Sequence, residues 1–246
     1  MRNLLFCFFL LVISAWSVSA QNTDEMTRSD WATRTEIGYS FLSGSDAHNM
    51  QSTIKSLGSI KFNGDIQRRF YHHNVYFSGG IGYAITELRF DDPLIIQKNN
   101  TLDRVLVYKD VSPANHYGKS KLQFISMRLP LEIGIQTTKY HVAVGGYVGL
   151  VLTSKQKRKF ETDGQHVRVN TFGTDKLGTS VLEYGVSARA GFRNFGFYGA
   201  FNLSPLFKNN GPNAQIAQIG VYFNKAYRTP KGERIIDKLD RGRKKI

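Results

Sequence analysis

Charged side chains of both signs recur at even spacing along three stretches of the sequence. The seven residues are Lys61, Asp65 and Arg69 in the first stretch, Arg128 and Glu132 in the second, and Glu183 and Arg189 in the third. Because successive residues of a β-strand point to opposite sides, residues at even spacing share one face. Acids and bases held together in this way support general acid–base catalysis, a path for ions or protons, or the mutual neutralisation of buried charge.

Period-two alternation of apolar and polar residues identifies the elements that carry these charges. Such alternation predicts β-strands, and almost no helical periodicity competes with it. Eight strands are predicted, at 35–43, 54–70, 75–90, 125–136, 140–153, 182–193, 195–203 and 217–223. Pro130 interrupts the fourth strand, and because proline has no N–H for the ladder, we expect a bulge, an end of pairing or an edge-like defect there.

The connections between the predicted strands alternate in length. Those near His72, Thr138 and Arg193 are short turns, whereas 45–53, 91–121, 155–178 and 208–212 are longer segments. Outer-membrane barrels have short periplasmic turns and longer outer loops, and an even number of strands brings both termini to one side. With a periplasmic N-terminus, every short turn falls on the periplasmic side.

The composition of the less apolar face indicates which side of the sheet is inside. That face is built of Gly, Ala, Ser, Tyr and the paired charges, with Tyr147, Tyr198 and Tyr222 among the larger residues. An eight-stranded barrel has an interior just wide enough for side chains to fill, which suits this mixture. The predicted fold is therefore all-β, an eight-stranded antiparallel up-and-down transmembrane β-barrel with a basic C-terminal extension. The seven charges are predicted to form a structural network in its lumen, with an ion path or a catalytic carboxylate as the alternatives.

The start of the chain predicts export. Arg2, an apolar run over 4–13 and the small residues Ser19 and Ala20 before Gln21 have the pattern of a secretory signal peptide. The predicted organisation is a signal peptide at 1–20, a periplasmic segment at 21–33, an outer-membrane barrel at 34–224 and a basic periplasmic tail at 225–246. The single cysteine, Cys7, lies within the signal, so the mature protein is predicted to lack disulfides and cysteine metal sites.

The formal net charge of +14 predicts an anionic partner such as lipid headgroups or lipopolysaccharide phosphates, since nucleic acid is a poor partner for an exported protein. Two basic segments carry much of this charge. Lys155, Lys157, Arg158 and Lys159 open the third long loop and are assigned either to anionic lipid contact or to a solvated loop. In the tail, the residues assigned to contact with a periplasmic or secretion-complex protein are Lys238, Arg241, Arg243, Lys244 and Lys245, with disorder as the alternative.

Aromatic residues cluster near the predicted periplasmic strand ends. They are Tyr39, Phe70, Tyr71, Tyr140, Phe192, Phe195, Tyr222 and Phe223. Aromatic girdles mark membrane interfaces, so we interpret this group as a girdle. The alternative is the ordinary enrichment of aromatic residues in strands.

Motifs for other chemistry are weak or missing. Gly79, Gly80 and Gly82 lie within a strand with no helix after them, so they do not form a phosphate-binding loop. His72 and His73 fall in a tight turn, and His141 faces the predicted lumen, where a structural hydrogen bond is expected. We therefore assign no catalytic residue, no cofactor and no metal, and predict that the chain is not an enzyme.

Several segments resemble a known family. They are the junction at Ala20 and Gln21, the strand over 127–131, the glycine-rich strand over 144–149 and the strand end at 202–207. They are similar to the outer-membrane β-barrel domain family that includes the PorT-like proteins of gliding and type IX secretion systems. The resemblance covers 35–223 and implies an outer-membrane barrel associated with protein secretion. Such barrels commonly end with the aromatic residue of the last strand, whereas here a long basic extension follows Phe223.

The leading hypothesis is a non-enzymatic barrel of the cell outer membrane with a structural, adhesive or secretion-accessory role, acting through its outer loops and tail. Two alternatives stay open. One is a soluble exported barrel that binds a small apolar ligand in the manner of lipocalins. The other is a small outer-membrane enzyme that modifies lipids, whose catalytic groups would come from separate strands.

Overall fold

The computed structural model describes residues 28–46, 59–72, 74–90, 94–99, 104–109, 115–137, 139–162, 165–208 and 211–227. The predicted signal peptide, residues 54–58 of the second predicted strand, His73, and the tail from 228 onward lie outside the described residues.

Eleven strands and one short helix make up the described chain. They are β1 (Arg28–Ser43), β2 (Ile60–His72), β3 (Val75–Phe90), β4 (Leu94–Asn99), β5 (Arg104–Lys109), β6 (Asn115–Gln136), β7 (Tyr140–Thr162), β8 (Gln165–Phe172), α1 (Thr174–Leu177), β9 (Leu182–Phe192), β10 (Phe195–Asn202) and β11 (Gln215–Tyr227). No helix in the described part of the chain is long and apolar enough to cross a membrane.

Eight of these strands close into a barrel. In chain order they are β1, β2, β3, β6, β7, β9, β10 and β11, and each pairs antiparallel with the next. The ring closes where β11 pairs with β1, from Trp31 opposite Tyr227 to Ser43 opposite Gln215. The predicted eight-stranded up-and-down barrel is confirmed. Tight turns join β2 to β3, β6 to β7 and β9 to β10, and we call this the short-turn end and the opposite side the long-loop end.

The barrel wall is apolar outside and polar inside. The outward residues include Phe197, Ile219 and Ile135, whose side chains are 67%, 58% and 56% exposed. Burial of alternate residues follows from the strand pleat, which sends every second side chain into the lumen. A wall whose exposed face is apolar around the ring matches a barrel surrounded by acyl chains.

Pro130 interrupts pairing on one side of β6 only. The β3–β6 ladder stops at Gly79 opposite Leu131 and resumes at Gly82 opposite Arg128 with the register unchanged. On the β7 side, Pro130 stays paired with Tyr147. The local end of pairing expected from the missing proline N–H is confirmed and affects one neighbour.

Several segments predicted as loops are strands, and the predicted boundaries move accordingly. The region 91–121 contains β4, β5 and the start of β6, and the region 155–178 contains the end of β7, β8 and α1. β1 also begins at Arg28, earlier than the predicted start at 34 or 35, and β11 continues to Tyr227. The extension of β7 is polar on both faces, so hydrophobic alternation does not mark it. The short segments β4 and β5 do bury alternate apolar residues, such as Leu94, Ile96 and Val105, and were included in the predicted loop 91–121.

The described apolar core lies at the long-loop end. Inward residues of the barrel strands meet residues of the β4–β5 hairpin, α1 and the loop before β11; the cluster comprises Leu42, Leu88, Phe90, Leu94, Ile96, Val105, Leu122, Phe124, Leu177, Leu206, Phe207, Ala214 and Ile216. We call this cluster the outer cap. It covers the lumen, and the strand β8 pairs beside it with the end of β7.

Replacement of Leu177 tests the packing of the outer cap. Leu177 is fully buried in the cap although it belongs to a helix of four residues. Leu177→Ala should cost about 2–5 kcal/mol locally and open the segment around α1 to protease, because a buried leucine leaves a cavity. Limited proteolysis in detergent measures this, with the exposed Lys176→Ala as the matched control. Equal cleavage of both variants would contradict the packing described here.

Candidate functional site

The lumen holds a balanced set of buried charges. Among the described residues, five acids and five bases are buried: Asp30, Glu36, Asp65, Glu132, Glu183, Arg34, Lys61, Arg69, Arg128 and Arg189. The formal charge of this set is zero. Buried ions persist when they are paired and hydrogen-bonded, so neutrality is the first requirement that the lumen meets.

Two arginines organise what we call the central cluster. Arg34 bonds Glu132 at 2.7 Å (Nη1–Oε2), Asp65 at 2.7 Å (Nη2–Oδ2) and Glu36 at 3.0 Å (Nε–Oε1). Arg189 bonds the same Glu36 at 2.7 Å (Nη2–Oε1) and also Glu132. The shared carboxylates therefore join β1, β2, β6 and β9 across the lumen.

A second cluster lies around Glu183, which accepts two hydrogen bonds from Arg128. Ser126 Oγ donates to Glu183 Oε2 at 2.9 Å, and Asn202 Nδ2 donates to Glu183 Oε1 at 2.8 Å. Lys61 is fully buried, and its Nζ lies 4.0 Å from Glu183 Oε1 with no hydrogen-bond partner. Glu183 thus has most of its lone pairs satisfied without Lys61.

Tyrosines fill the space between the charges and need glycines opposite them. The Arg128 guanidinium lies 4.4 Å from the ring centroid of Tyr147, whose hydroxyl bonds Asn202. A Cβ at Gly185 would collide with the Tyr147 hydroxyl, and a Cβ at Gly38 would collide with the ring of Tyr198. These glycines are therefore required by the close approach of a tyrosine, which comes from the neighbouring strand β7 for Gly185 and from β10, across β11, for Gly38.

The structure brings six of the seven predicted charges into these two clusters. Arg69 lies apart from them, with its guanidinium 5.4 Å from the ring centroid of Tyr76 towards the short-turn end. Sequence reasoning missed Arg34 and Glu36, which hold the central cluster together. Both occupy the inward parity of β1. Arg34 precedes the predicted strand start at 35, whereas Glu36 lies within the predicted strand 35–43 but was not assigned to the charge network.

The short-turn end of the lumen is closed by aromatic and imidazole groups. His141 is buried, and its Nε2 hydrogen-bonds the hydroxyl of Tyr222, with the two rings edge to face at 5.5 Å. This is the kind of structural hydrogen bond expected for His141. His72 is exposed at the end of β2. The described residues contain no group of three His, Cys, Asp or Glu side chains placed to hold a metal ion.

Little space is left inside. The cavity lined by Arg34, Asp65, Arg128 and Arg189 has a volume of about 20 Å³. That volume suffices for about one water molecule. The outer cap, the two charge clusters and the His141–Tyr222 pair fill the lumen in the part of the chain that the structure describes.

Of the eight aromatic residues predicted to form a girdle, five face outward at the short-turn end and three do not, while the position of the five at a membrane interface stays a prediction. An outward row at the short-turn end crosses four adjacent strands, from Tyr140 to Phe192, Phe195 and Phe223, with ring centroids 5.4 Å apart for the first pair and 5.2 Å for the last; Phe70 is outward on β2. The three others are Tyr39, Tyr71 and Tyr222. Tyr39 pairs with Ile60 near the long-loop end, and the pleat turns Tyr71 and Tyr222 into the lumen.

A β-bulge separates the barrel wall from the extension at the long-loop end. Ile125 lies opposite Thr153 and Ser126 opposite Val151, so Leu152 is an extra residue in β7. An extra residue reverses the faces beyond it. In the wall the even positions of β7 point outward, but beyond Leu152 the residues Ser154 and Gln156 are buried against the cap side.

The bulge divides the four predicted basic residues. Lys155, Lys157 and Lys159 lie on the outward face of the extension, whereas Arg158 lies on the side of Gln156 and lines a pocket with Lys98. Neighbouring strands add Lys121, opposite Lys157, and Arg168, opposite Lys159. We call the group Lys121, Lys155, Lys157, Lys159 and Arg168 the basic face. Lys121 and Arg168 were not predicted from the sequence as part of it.

The charges of the basic face act on one another. Desolvation and repulsion from Arg168 and Lys159 lower the pKa of Lys157. Burial raises the pKa of Glu87, but hydrogen bonds from Lys121 and Arg89 outweigh this and hold that pKa below its usual value. Lys121 is the one member of the basic face to which the described residues give an ion-pair partner, at 2.6 Å from Glu87.

Comparison with known proteins agrees with this architecture. The model of a family described as outer membrane protein beta-barrel domain matches residues 19–209. The chain belongs to this outer-membrane β-barrel family. A search of curated proteins found no match.

Solved barrels similar to this family member are remote. Neisserial surface protein A is 10% identical, with 80% of this chain and 97% of that chain covered and a TM-score of 0.33. A mutant porin of Rh. blastica is 11% identical, covering 81% and 100%, with a TM-score of 0.17. The translocator domain of the autotransporter NalP from Neisseria meningitidis is 8% identical, covering 90% and 97%, with a TM-score of 0.16. Likenesses at this level carry no argument about function.

Membership in the outer-membrane β-barrel family predicts an orientation. Short turns of such barrels are periplasmic and longer loops lie outside. We therefore expect the short-turn end with its aromatic row to be periplasmic, and the outer cap and the basic face to lie on the external side.

Glu132 is the residue that best tests the central cluster. Glu132→Gln leaves Arg34 and Arg189 sharing two carboxylates in place of three, and a broken buried pair costs about 3–5 kcal/mol. Lys61→Met is the matched control, because Glu183 keeps Arg128, Ser126 and Asn202. We expect a much larger loss for Glu132→Gln in urea unfolding followed by heat-modifiable gel migration. Equal losses would contradict the assignment of the central cluster as the main ionic contact.

Proposed function

We propose that this outer-membrane barrel is a non-enzymatic, non-conducting protein with a structural, adhesive or secretion-accessory role of the PorT-like kind. It acts through its external side and its periplasmic tail after export by the signal peptide at 1–20. The observation that carries the proposal is the filled, neutral lumen beneath an ordered outer cap. A barrel built this way offers surfaces to partners and no passage to solutes.

The interior supports this proposal over the ligand-carrier alternative. A lipocalin-like carrier requires an apolar cavity within the barrel and a polar exterior. Here ten charged side chains are buried in the described lumen, and the exposed wall carries residues such as Phe197 and Val142. The polarity is therefore the reverse of that in a soluble carrier.

The ion pairing of the buried charges supports the non-enzymatic proposal over the alternative of a lipid-modifying enzyme. A general acid or base needs a position from which it reaches substrate. Glu36, Glu132 and Glu183 are each held by a buried arginine, and His141 is bonded to Tyr222. These groups are paired with one another inside the barrel wall, and a lipid substrate outside the barrel does not reach them.

Bilayer recording tests the non-conducting part of the proposal. The full mature chain inserted into planar bilayers should give no stepwise conductance, because the two cavities lined by buried lumen residues have volumes of about 20 Å³ each, enough for about one water molecule apiece. A variant lacking residues 94–109, which removes the β4–β5 hairpin from the cap, should also stay closed, since the charge clusters remain. Reproducible steps from the wild-type chain would overturn the proposal.

Deletion of the tail tests the secretion-accessory part. β11 ends at Tyr227, so removal of 228–246 leaves the last strand intact. In cells that lack the native gene, the full chain should restore export of secreted cargo, and the shortened chain should insert but leave cargo in the periplasm. The control replaces 228–246 with a neutral segment of equal length. Full export with both altered chains would exclude the tail as the acting element.

A further inference from the structure

The basic face is continuous with the lipid-facing wall of the barrel. On β6, the outward residues Met127 and Ile125 are followed by Gln123 and Lys121 without a change of parity. On β7, the bulge at Leu152 brings Lys155 into line with Gln123. A lipid molecule lying against this wall therefore meets apolar side chains first and ammonium groups above them.

The basic face concentrates like charges, and Lys121 is the one member with an acidic partner among the described residues. Lys121 lies opposite Lys157, and Lys159 opposite Arg168. Like charges directly opposite in a sheet are destabilising, so this arrangement favours an anion between them. The acid Glu161 of the β7 extension has its Oε2 3.7 Å from His166 Nδ1. Lys155 Nζ lies 4.5 Å from the ring centroid of Phe172.

A groove marks the wall below this face. It has a volume of about 320 Å³ and runs between β6, β7 and β9, lined on its outward side by Leu129, Leu131, Gly146, Val148 and Tyr184. Gly146 contributes no side chain, which leaves the groove open at its middle. The lining is almost wholly apolar, so the groove accommodates a hydrocarbon chain.

The distance between the groove and the basic face matches the distance between an acyl chain and the headgroup of one lipid. Seven residues separate Val148 from Lys155, which corresponds to about 20 Å along a strand. Half of a hydrocarbon core is about 15 Å thick. At a strand tilt of about 40°, the separation along the membrane normal is about 15 Å. With the lysines at the level of the outer headgroups, the groove then lies within the outer half of the core.

We infer that the basic face and the groove beneath it form one binding site for a phosphorylated, multiply acylated glycolipid of the outer leaflet, of the lipopolysaccharide type. Its phosphates bind Lys155, Lys157, Lys159 and Arg168, and one acyl chain lies in the groove. The inference rests on the proposed external orientation of this face. Arg158 takes no part, because its side chain lies on the opposite side of the extension.

The test measures lipid affinity with the full mature chain in nanodiscs of neutral phospholipid. The probes are bisphosphorylated hexa-acyl lipid A, the same lipid without phosphates, and phosphatidylglycerol. The charge variant is Lys155→Gln, Lys157→Gln and Lys159→Gln together, and its control is Lys139→Gln, Arg193→Gln and Lys225→Gln at the periplasmic end. The groove variant is Gly146→Val, and its control is the outward Gly199→Val, where a Cβ has space.

The charge variant should weaken binding of bisphosphorylated lipid A by about tenfold to 100-fold. Loss of each basic residue near an anionic surface should weaken binding about two- to fivefold, and the variant removes three such residues. The groove variant should weaken binding of this lipid A several-fold, and both controls should bind like the wild type. Equal weakening by variants and controls overturns the site, as does equal affinity for phosphatidylglycerol, which would indicate general attraction of anionic lipid. Heat-modifiable migration and protease access from outside, measured on every variant, report the barrel and its orientation separately from lipid binding.

Discussion

The shared carboxylates of the lumen are the interaction on which this barrel depends. Outside the wall, acyl chains are as apolar as the side chains they touch, so the exterior supplies little force that drives the strands together. Inside, Glu36 and Glu132 each bind both Arg34 and Arg189, and these four residues come from three strands that are not all neighbours in the sheet. Loss of one partner leaves the others as uncompensated charges in a dry interior. The network therefore fixes the width of the barrel and the register of opposite walls together.

The charged interior also determines where an apolar core can lie. Tyrosines reach across glycines such as Gly38 and Gly185 to fill the gaps between ion pairs, so no space is left there for aliphatic packing. The aliphatic side chains gather instead at the long-loop end, where inward residues such as Leu42 and Leu122 meet the hairpin, α1 and the loop before β11. The hairpin, α1 and the loop before β11 are thereby held on the barrel by ordinary hydrophobic burial. The same burial places these segments over the long-loop end of the lumen.

Alternation in the sequence predicted the barrel because each wall strand has one face in hydrocarbon and the other in a polar lumen. The same parity placed Glu183 and Arg189 inside. It missed Arg34 because β1 was begun too late, and it missed Glu36 because this residue is the single charge within 35–43 and has no second charge at even spacing there. It missed the strand character of Lys155–Lys159 because both faces of that segment are polar. Pairing partners far along the chain, which hydrophobicity does not record, define such segments. The wrong assignment of Tyr39 has a related cause, since its level in the barrel depends on the pairing of Tyr39 with Ile60.

One additional residue in β7 reverses the facing of its side chains between the apolar barrel wall and the polar extension beyond it. In the wall, even positions such as Val142 and Leu150 face the membrane. If that parity continued without Leu152 as an insertion, Lys155, Lys157 and Lys159 would point towards the cap, and Ser154 and Gln156 would point outward. Three ammonium groups would then lie beside Leu94, whose carbonyl now accepts a hydrogen bond from Gln156 at 2.7 Å. The bulge avoids this burial of charge, and it aligns the lysines above the apolar wall. The position of Leu152, at the point where β7 leaves the barrel, thus connects the packing of the cap with the charge on the outward face of the extension.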